Sequence, residues 1–158
     1  MKLKKVISFP YTDTAHCNIA FEIRRKVFEE EQKVPREEEF DEYEEACRHY
    51  LVYLDDLPVG TARWRKTEKG VKLERFAVLK EYRNSGAGSE VLKKVLEEVK
   101  PLQKKIYLHA QLPAINFYRK AGFETEAEMF SEANIDHYLM VLSSTNTNRY
   151  EYTNESQS

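Results

Sequence analysis

The chain predicts a mixed α/β domain with a mostly antiparallel sheet, on three observations. Apolar residues alternate in short strand-like runs and recur at helical spacing between them, giving the order β-α-α-β-β-β-α-β-α-β-β. Most neighbouring strands are joined by turn residues, the pattern of hairpins. The 158 residues suit one domain with a core of useful size, and no internal repeat divides them.

Residues 3–9 read as a first strand, ended by Pro10, which lacks the N–H a ladder needs. Asp13 or Thr14 can cap the next helix by accepting a backbone N–H bond. Its buried stripe is Ile19, Ile23 and Val27, flanked by Ala20 and Phe28. Pro35 divides the following acidic segment into a helix end and a second short helix or loop. Residues 49–55 look like a strand, Asp55-Asp56-Leu57-Pro58 like a turn, and 59–65 like the returning strand. Lys69-Gly70 suits another hairpin turn, into a fourth strand over 71–79. A helix from about Gly88 to Lys100 carries Val91, Leu92, Val95, Leu96 and Val99 on one face, and Pro101 marks its end. Residues 105–111 form a short strand and 113–121 a short helix closed by Gly122. Phe123 to Phe130 and Asp136 to Leu142 complete an antiparallel pair. The domain therefore spans 1–142. Residues 143–158, rich in Ser, Thr and Asn with only Tyr150 and Tyr152 to bury, are expected to be a mobile tail.

Composition narrows the function classes. Lys and Arg number 25 against 27 Asp and Glu, a net charge of -2, so a nucleic-acid partner is not expected. No apolar run can span a bilayer, and no h-region follows the basic start, so the expected location is the cytoplasm, without membrane attachment. Cys17 and Cys47 are too few for a disulfide framework. No group of His, Cys and carboxylates has ligand spacing, so no metal is expected.

Arg83-Asn84-Ser85-Gly86-Ala87-Gly88 lies where a strand gives way to an amphipathic helix. A helix start exposes unpaired N–H groups at a positive dipole end, and glycines let an anion approach them. An ordinary turn is the competing reading. The established nucleotide motifs do not fit: Val91 stands where a Rossmann fingerprint has its third glycine, and no Gly-Lys-Ser/Thr marks a P-loop.

The hexapeptide resembles the Gln/Arg-x-x-Gly-x-Gly/Ala cofactor motif of the GNAT superfamily of N-acetyltransferases. Two further segments are similar to that family in the expected order: Arg75-Phe76-Ala77-Val78 before the loop, and the run Ala114 to Phe123 containing Phe117-Tyr118-Arg119-Lys120-Ala121-Gly122. Residues 24–32 with Glu38, Asp41 and His49 resemble the ElaA-like subgroup. The resemblance implies a sheet of about seven strands with four helices, splayed between strands 4 and 5. It implies acetyl-CoA as co-substrate, held at the pyrophosphate by the backbone around Arg83, Asn84, Ser85, Gly86, Ala87, Gly88 and Ser89. The strand Phe76, Ala77 and Val78 would bind the pantetheine arm, with the Val78 N–H donating to the thioester oxygen. Gln111, Asn116 and Phe117 would line the other wall, although many relatives have Asn where Gln111 stands. Lys93, Arg119 and Lys120 are candidates for the adenosine-side phosphate.

The implied reaction is acetyl transfer from acetyl-CoA to a primary amine on a small molecule or peptide, by direct attack in a ternary complex. Tyr118 is the candidate acid for the departing sulfur; the alternative is a core tyrosine with a satisfied hydroxyl. Glu74 is a candidate base, sharing a strand face with Phe76 and Val78 if no bulge intervenes, or else an ion-pair partner of Arg63 or Arg65. His49 and His109 are alternatives, and His109 shares a strand face with Tyr107 and Gln111. Between Glu29 and Glu45 stand ten acidic and two basic residues. That run suits a rim attracting a cationic acceptor or a merely solvated face. Arg24, Arg25 and Arg63 suggest instead a carboxylate on the acceptor. A non-catalytic acyl-CoA-binding module is the alternative function, and a homodimer is compatible with the sequence.

Overall fold

The computed structural model describes residues 2–126 and 128–143. The strands are β1 (Lys4–Pro10), β2 (Arg48–Leu54), β3 (Leu57–Thr67), β4 (Gly70–Val78), β5 (Ile106–Gln111), β6 (Phe123–Thr125), β7 (Phe130–Glu132) and β8 (Ile135–Leu142). The α-helices are α1 (Thr14–Arg24), α2 (Arg36–Glu39), α3 (Ala87–Val99) and α4 (Ile115–Lys120). Asp13 caps α1, its carboxylate accepting the His16 N–H at 3.2 Å.

One sheet runs β1-β2-β3-β4-β5-β8-β6, with β7 paired to β8. Every pair is antiparallel except β4 and β5. That parallel pair is short: Val71, Lys72 and Leu73 face Ile106, Tyr107 and Leu108, and beyond Leu73 and Leu108 the strands part. The expected splay is therefore present, and it opens a wedge between the two halves of the sheet.

Each face of the sheet has its own core. On one, α3 buries Val91, Leu92, Val95, Leu96 and Val99 against Tyr50, Val52, Val59 and Leu73. The stripe read from the sequence is the one buried. On the other, α1 and its continuation bury Cys17, Ala20, Ile23, Val27 and Phe28 against Phe9, Leu51 and Ala77. Leu51 and its neighbours Tyr50 and Val52 thus serve opposite faces, as strand alternation requires.

Several boundaries differ from the sequence reading. The first hairpin turn is Asp55-Asp56, since Leu54 already pairs with Leu57, so Pro58 lies inside β3 beside a register shift. The next turn is Glu68-Lys69, and Gly70 opens β4. Phe123 to Phe130 is two strands rather than one, and both pair with β8. After Arg24 the first helix continues as a π-helix over Arg25–Glu31, which the apolar spacing did not reveal. Of the expected tail, residues 144–158 lie outside the described residues, including Tyr150 and Tyr152.

Candidate active site

The wedge is shaped by a defect in β4. Arg63 pairs with Glu74 and Thr61 with Ala77, so three steps along β4 match two along β3. The bulge places Arg75 at φ 57°, a left-handed conformation unfavourable for a residue with a Cβ. Carbonyls of α2 hold it there: Arg75 Nε donates to Glu39 O at 3.0 Å and a terminal N–H to Glu38 O at 3.3 Å. The bulge also breaks the expected alternation. Glu74 turns toward Arg63, whereas Phe76 and Val78 pack on the α3 side. The three do not share a face.

Past the bulge, the edge of β4 facing β5 carries no ladder. Leu79 N–H donates to Val59 O on β3, so alternation turns the Val78 N–H to the open edge. The loop follows. Gly86 caps α3 at φ 90°, a glycine conformation, and a Cβ there would come within 2.9 Å of Lys4 Cε. Ser85 Oγ accepts the Ala87 N–H at 3.2 Å, while helix geometry leaves the Gly88 and Ser89 N–H groups without intrahelical acceptors. A cleft joins this loop to Phe76, Ala77, Val78, Phe117 and Tyr118. Asn116 is on α4 but is absent from that lining.

Two motif side chains are engaged elsewhere. The Arg83 guanidinium makes two 2.6 Å bonds to the Glu31 carboxylate, and its Nε donates to Val78 O at 3.0 Å. Gln111 and Gln32 exchange amide bonds at 2.9 and 3.3 Å. Glu31 and Gln32, at the end of the π-helix, therefore strap the wedge from the β4 side to the end of β5. Nothing in the local sequence signals this, because the partners are 52 and 79 residues apart.

A second cleft opens on the α2 side, lined by Glu74, Phe76, His109, Gln111, Ala114 and Tyr118, with Glu39, Lys72, Glu132 and His137 at its polar rim. The two clefts share Phe76, Ala114 and Tyr118. Tyr118 is 7% exposed and rests edge-on against Phe76, with ring centroids 5.9 Å apart. Its hydroxyl makes no hydrogen bond among the described residues. Burial pushes the phenol up from its ordinary value, so it is a weaker acid than a phenol in water.

The acidic segment is largely paired. Arg24 binds Glu39 and Glu44; Arg63 binds Asp41, Glu44 and Glu74; Arg75 binds Asp41. Arg65 and Lys72 also reach Glu74, each at 3.1 Å. Burial raises the Glu74 carboxyl, but Arg63, Lys72 and Arg65 together hold it below the usual range. The surroundings of Glu74 are thus those of an ion-paired carboxylate. At Glu39 burial wins and pushes the carboxyl up, and its Oε1 has no hydrogen-bond partner among the described residues. His49 is 1% exposed, bonded through Nε2 to Glu44 O at 3.0 Å, and lies outside both clefts. His109 lies inside the second, with Nδ1 3.1 Å from Glu132 Oε1. Glu132 and His137 were not singled out from sequence; only the folded hairpin brings them to the cleft. Lys93 and Lys120 line a surface groove between α3 and α4, away from the shared wall. No group of three or more His, Cys, Asp or Glu side chains among the described residues is placed to hold a metal ion. No helix among them is long and apolar enough to cross a membrane.

Comparison with known proteins agrees with this architecture. A model described as the acetyltransferase (GNAT) family matches residues 17–123. The chain is 40% identical over 144 residues to YyaT of Bacillus subtilis, covering 89% of this chain and 94% of that protein. The crystal structure of Escherichia coli ElaA superposes with a TM-score of 0.80 at 26% identity, over 88% of this chain and 99% of that one. A GNAT family acetyltransferase of Elizabethkingia anophelis with acetyl-CoA bound shares the fold at a TM-score of 0.62 and 17% identity, over 87% and 94% of the two chains.

Proposed function

The chain belongs to the GNAT family of acetyltransferases, and on that premise we propose that it transfers acetyl from acetyl-CoA to a primary amine by direct attack in a ternary complex. One observation carries the reading: two clefts, one beginning at a helix N-terminus, meet at Phe76, Ala114 and Tyr118. A cofactor lying in the first cleft would present its thioester to an acceptor lying in the second. The structural neighbour with acetyl-CoA bound supports the choice of co-substrate.

The chain's groups suit these roles. Backbone N–H groups at Gly88 and Ser89, at the positive end of α3, would bind the pyrophosphate. Here the contribution of Arg83 is to brace the loop against Glu31, not to meet the phosphate. The Val78 N–H would donate to the carbonyl oxygen as negative charge grows there. The Tyr118 hydroxyl, without a hydrogen-bond partner among the described residues, would donate to the departing sulfur. Glu74, flanked by three cations, would hold the floor of the acceptor cleft in shape. The acceptor is a small molecule or peptide bearing the amine. Because Arg24, Arg63 and Arg75 already engage Glu39, Asp41 and Glu44, the acidic run supports a cationic acceptor less than its count suggests.

Direct attack is favoured by the cysteines. Cys17 and Cys47 are 2% and 5% exposed and line neither cleft. Burial pushes both thiols up, that of Cys47 to about 12, where little thiolate forms at neutral pH. Mass spectrometry after incubation with acetyl-CoA alone should therefore show unmodified protein. An acetyl adduct on either cysteine contradicts the ternary-complex route.

A further inference from the structure

Acetylation of an alkylamine needs a group that takes a proton from the acceptor. We propose that His109, oriented by Glu132, is that base; the inference rests on the acetyltransferase reading above.

The sheet itself selects the position. Leu73 and Leu108 form the last rung between β4 and β5, so Glu74 and His109 are the first residues of the two strands no longer paired across the wedge. Both line the acceptor cleft with Phe76 and Tyr118. Glu74 is taken up by Arg63, Arg65 and Lys72. Among the described residues His109 has one hydrogen-bond partner, the Glu132 carboxylate on its Nδ1. Phe130 packs edge-on against the ring, centroids 5.0 Å apart, and Tyr107 lies 6.3 Å away on the same strand. With Nδ1–H donating to Glu132, the lone pair falls on Nε2. The bond to His109, foremost, holds the Glu132 carboxyl down to about 2, so it stays anionic and fixes that tautomer.

The charged and titratable groups around this ring come from every neighbouring element. Besides Glu132 they are Lys72, Glu74 and Arg75 on β4, Glu38 and Glu39 on α2, Tyr118 on α4 and His137 on β8, all lining the same cleft. His137 is less suited to the role. It is 6% exposed, and its Nδ1 donates to Ile135 O at 2.7 Å within its own hairpin. The His109 side chain is 27% exposed and can pass a proton to water.

The proton balance closes. His109 Nε2 takes one proton from the ammonium and releases it to solvent. The freed nitrogen lone pair forms the N–C bond, and the C–S bond breaks with its electron pair on sulfur. Tyr118 protonates that sulfur, and the second nitrogen proton, shed as the tetrahedral adduct collapses, restores the phenol.

The test compares wild type with His109→Gln and Glu132→Gln, measuring thiol release from acetyl-CoA with putrescine, lysine and a peptide with a free N-terminus between pH 6 and 10. With any amine the wild type accepts, His109→Gln should lower kcat about 100-fold at pH 7, within the usual range for a general base. Its thermal shift with acetyl-CoA should be unchanged. The deficit should shrink as pH rises toward the amine's own pKa, because the acceptor then arrives neutral. Glu132→Gln should show the same trend with about a tenfold loss, as expected for a positioning residue. A His109→Gln profile equal to wild type, or a loss equal at every pH, overturns the base assignment alone. If His109→Gln does not fold, Glu132→Gln decides: a wild-type profile there overturns the assignment. A wild type that binds acetyl-CoA but releases no thiol with any of the amines overturns the transferase reading, and the base with it.

Discussion

Tyr118 concentrates the chemistry at the scale of single residues. Its ring is packed by Phe76, Phe117 and Phe123, while its hydroxyl has no partner among the described residues. Tyr118→Phe keeps that packing and removes only the donor. It should lower kcat for thiol release roughly 100-fold or more with little change in acetyl-CoA affinity. Steady-state kinetics beside a binding isotherm check this, and an unchanged kcat removes Tyr118 as the acid. Gly86 makes the corresponding case for the loop. At φ 90° a side chain costs about 1–2 kcal/mol. Gly86→Val should therefore weaken acetyl-CoA binding by roughly tenfold, since about 1.4 kcal/mol is a factor of ten. Calorimetric titration of the variant reads it directly. Both residues stand out in the sequence because they sit in spaced motifs. Glu132 does not, because its meaning depends on a hairpin that lays it beside His109.

At the scale of elements, the informative features are the departures from regularity. The β4 bulge at Arg75 separates Glu74 from Phe76, and period-two alternation in the sequence could not show it. The π-helix over Arg25–Glu31 lengthens the path of α1, so that Glu31 and Gln32 reach Arg83 and Gln111. Repeating apolar residues locate a helix but leave its last turns free to adopt another hydrogen-bond register. The β7–β8 hairpin turns through Ala133 and Asn134, with φ of 53° and 62°. A left-handed alanine is strained, so Ala133→Gly should stabilise the protein by about 1 kcal/mol. Urea denaturation would show this as a higher midpoint at unchanged slope. A lower midpoint would contradict the turn geometry.

The whole molecule is two cores on opposite faces of one splayed sheet, joined beneath the acceptor cleft by a buried charge network. Element order and both apolar stripes were legible in the sequence, because local periodicity encodes them. The pairing of Glu74 with Arg63 and Arg65 was one of two readings the sequence offered; the rest of the network was not legible, because partners such as Arg63 and Asp41, 22 residues apart, or Arg75 and Asp41, 34 apart, meet only in the folded sheet. Arg63 is 1% exposed and serves Asp41, Glu44 and Glu74. Arg63→Leu should cost about 3–5 kcal/mol by stranding those carboxylates, measurable by chemical denaturation. At Asp41, Glu44 and Glu74 burial pushes upward but the paired arginines hold each carboxyl below its ordinary value. Their stabilisation is therefore present above the ordinary carboxylate range and is lost as pH falls through the depressed values. Glu39, raised by burial despite Arg24, works in the opposite sense. With three groups against one, the urea midpoint should fall between pH 6 and pH 3; a flat profile would contradict the network. The central claim, that the two clefts bring acetyl-CoA and an amine together at Phe76, Ala114 and Tyr118, is tested most directly by initial-rate kinetics of thiol release with both substrates varied. The account predicts release that depends on the amine and reciprocal plots that intersect; parallel plots, or no amine-dependent release from protein that binds acetyl-CoA, would contradict it.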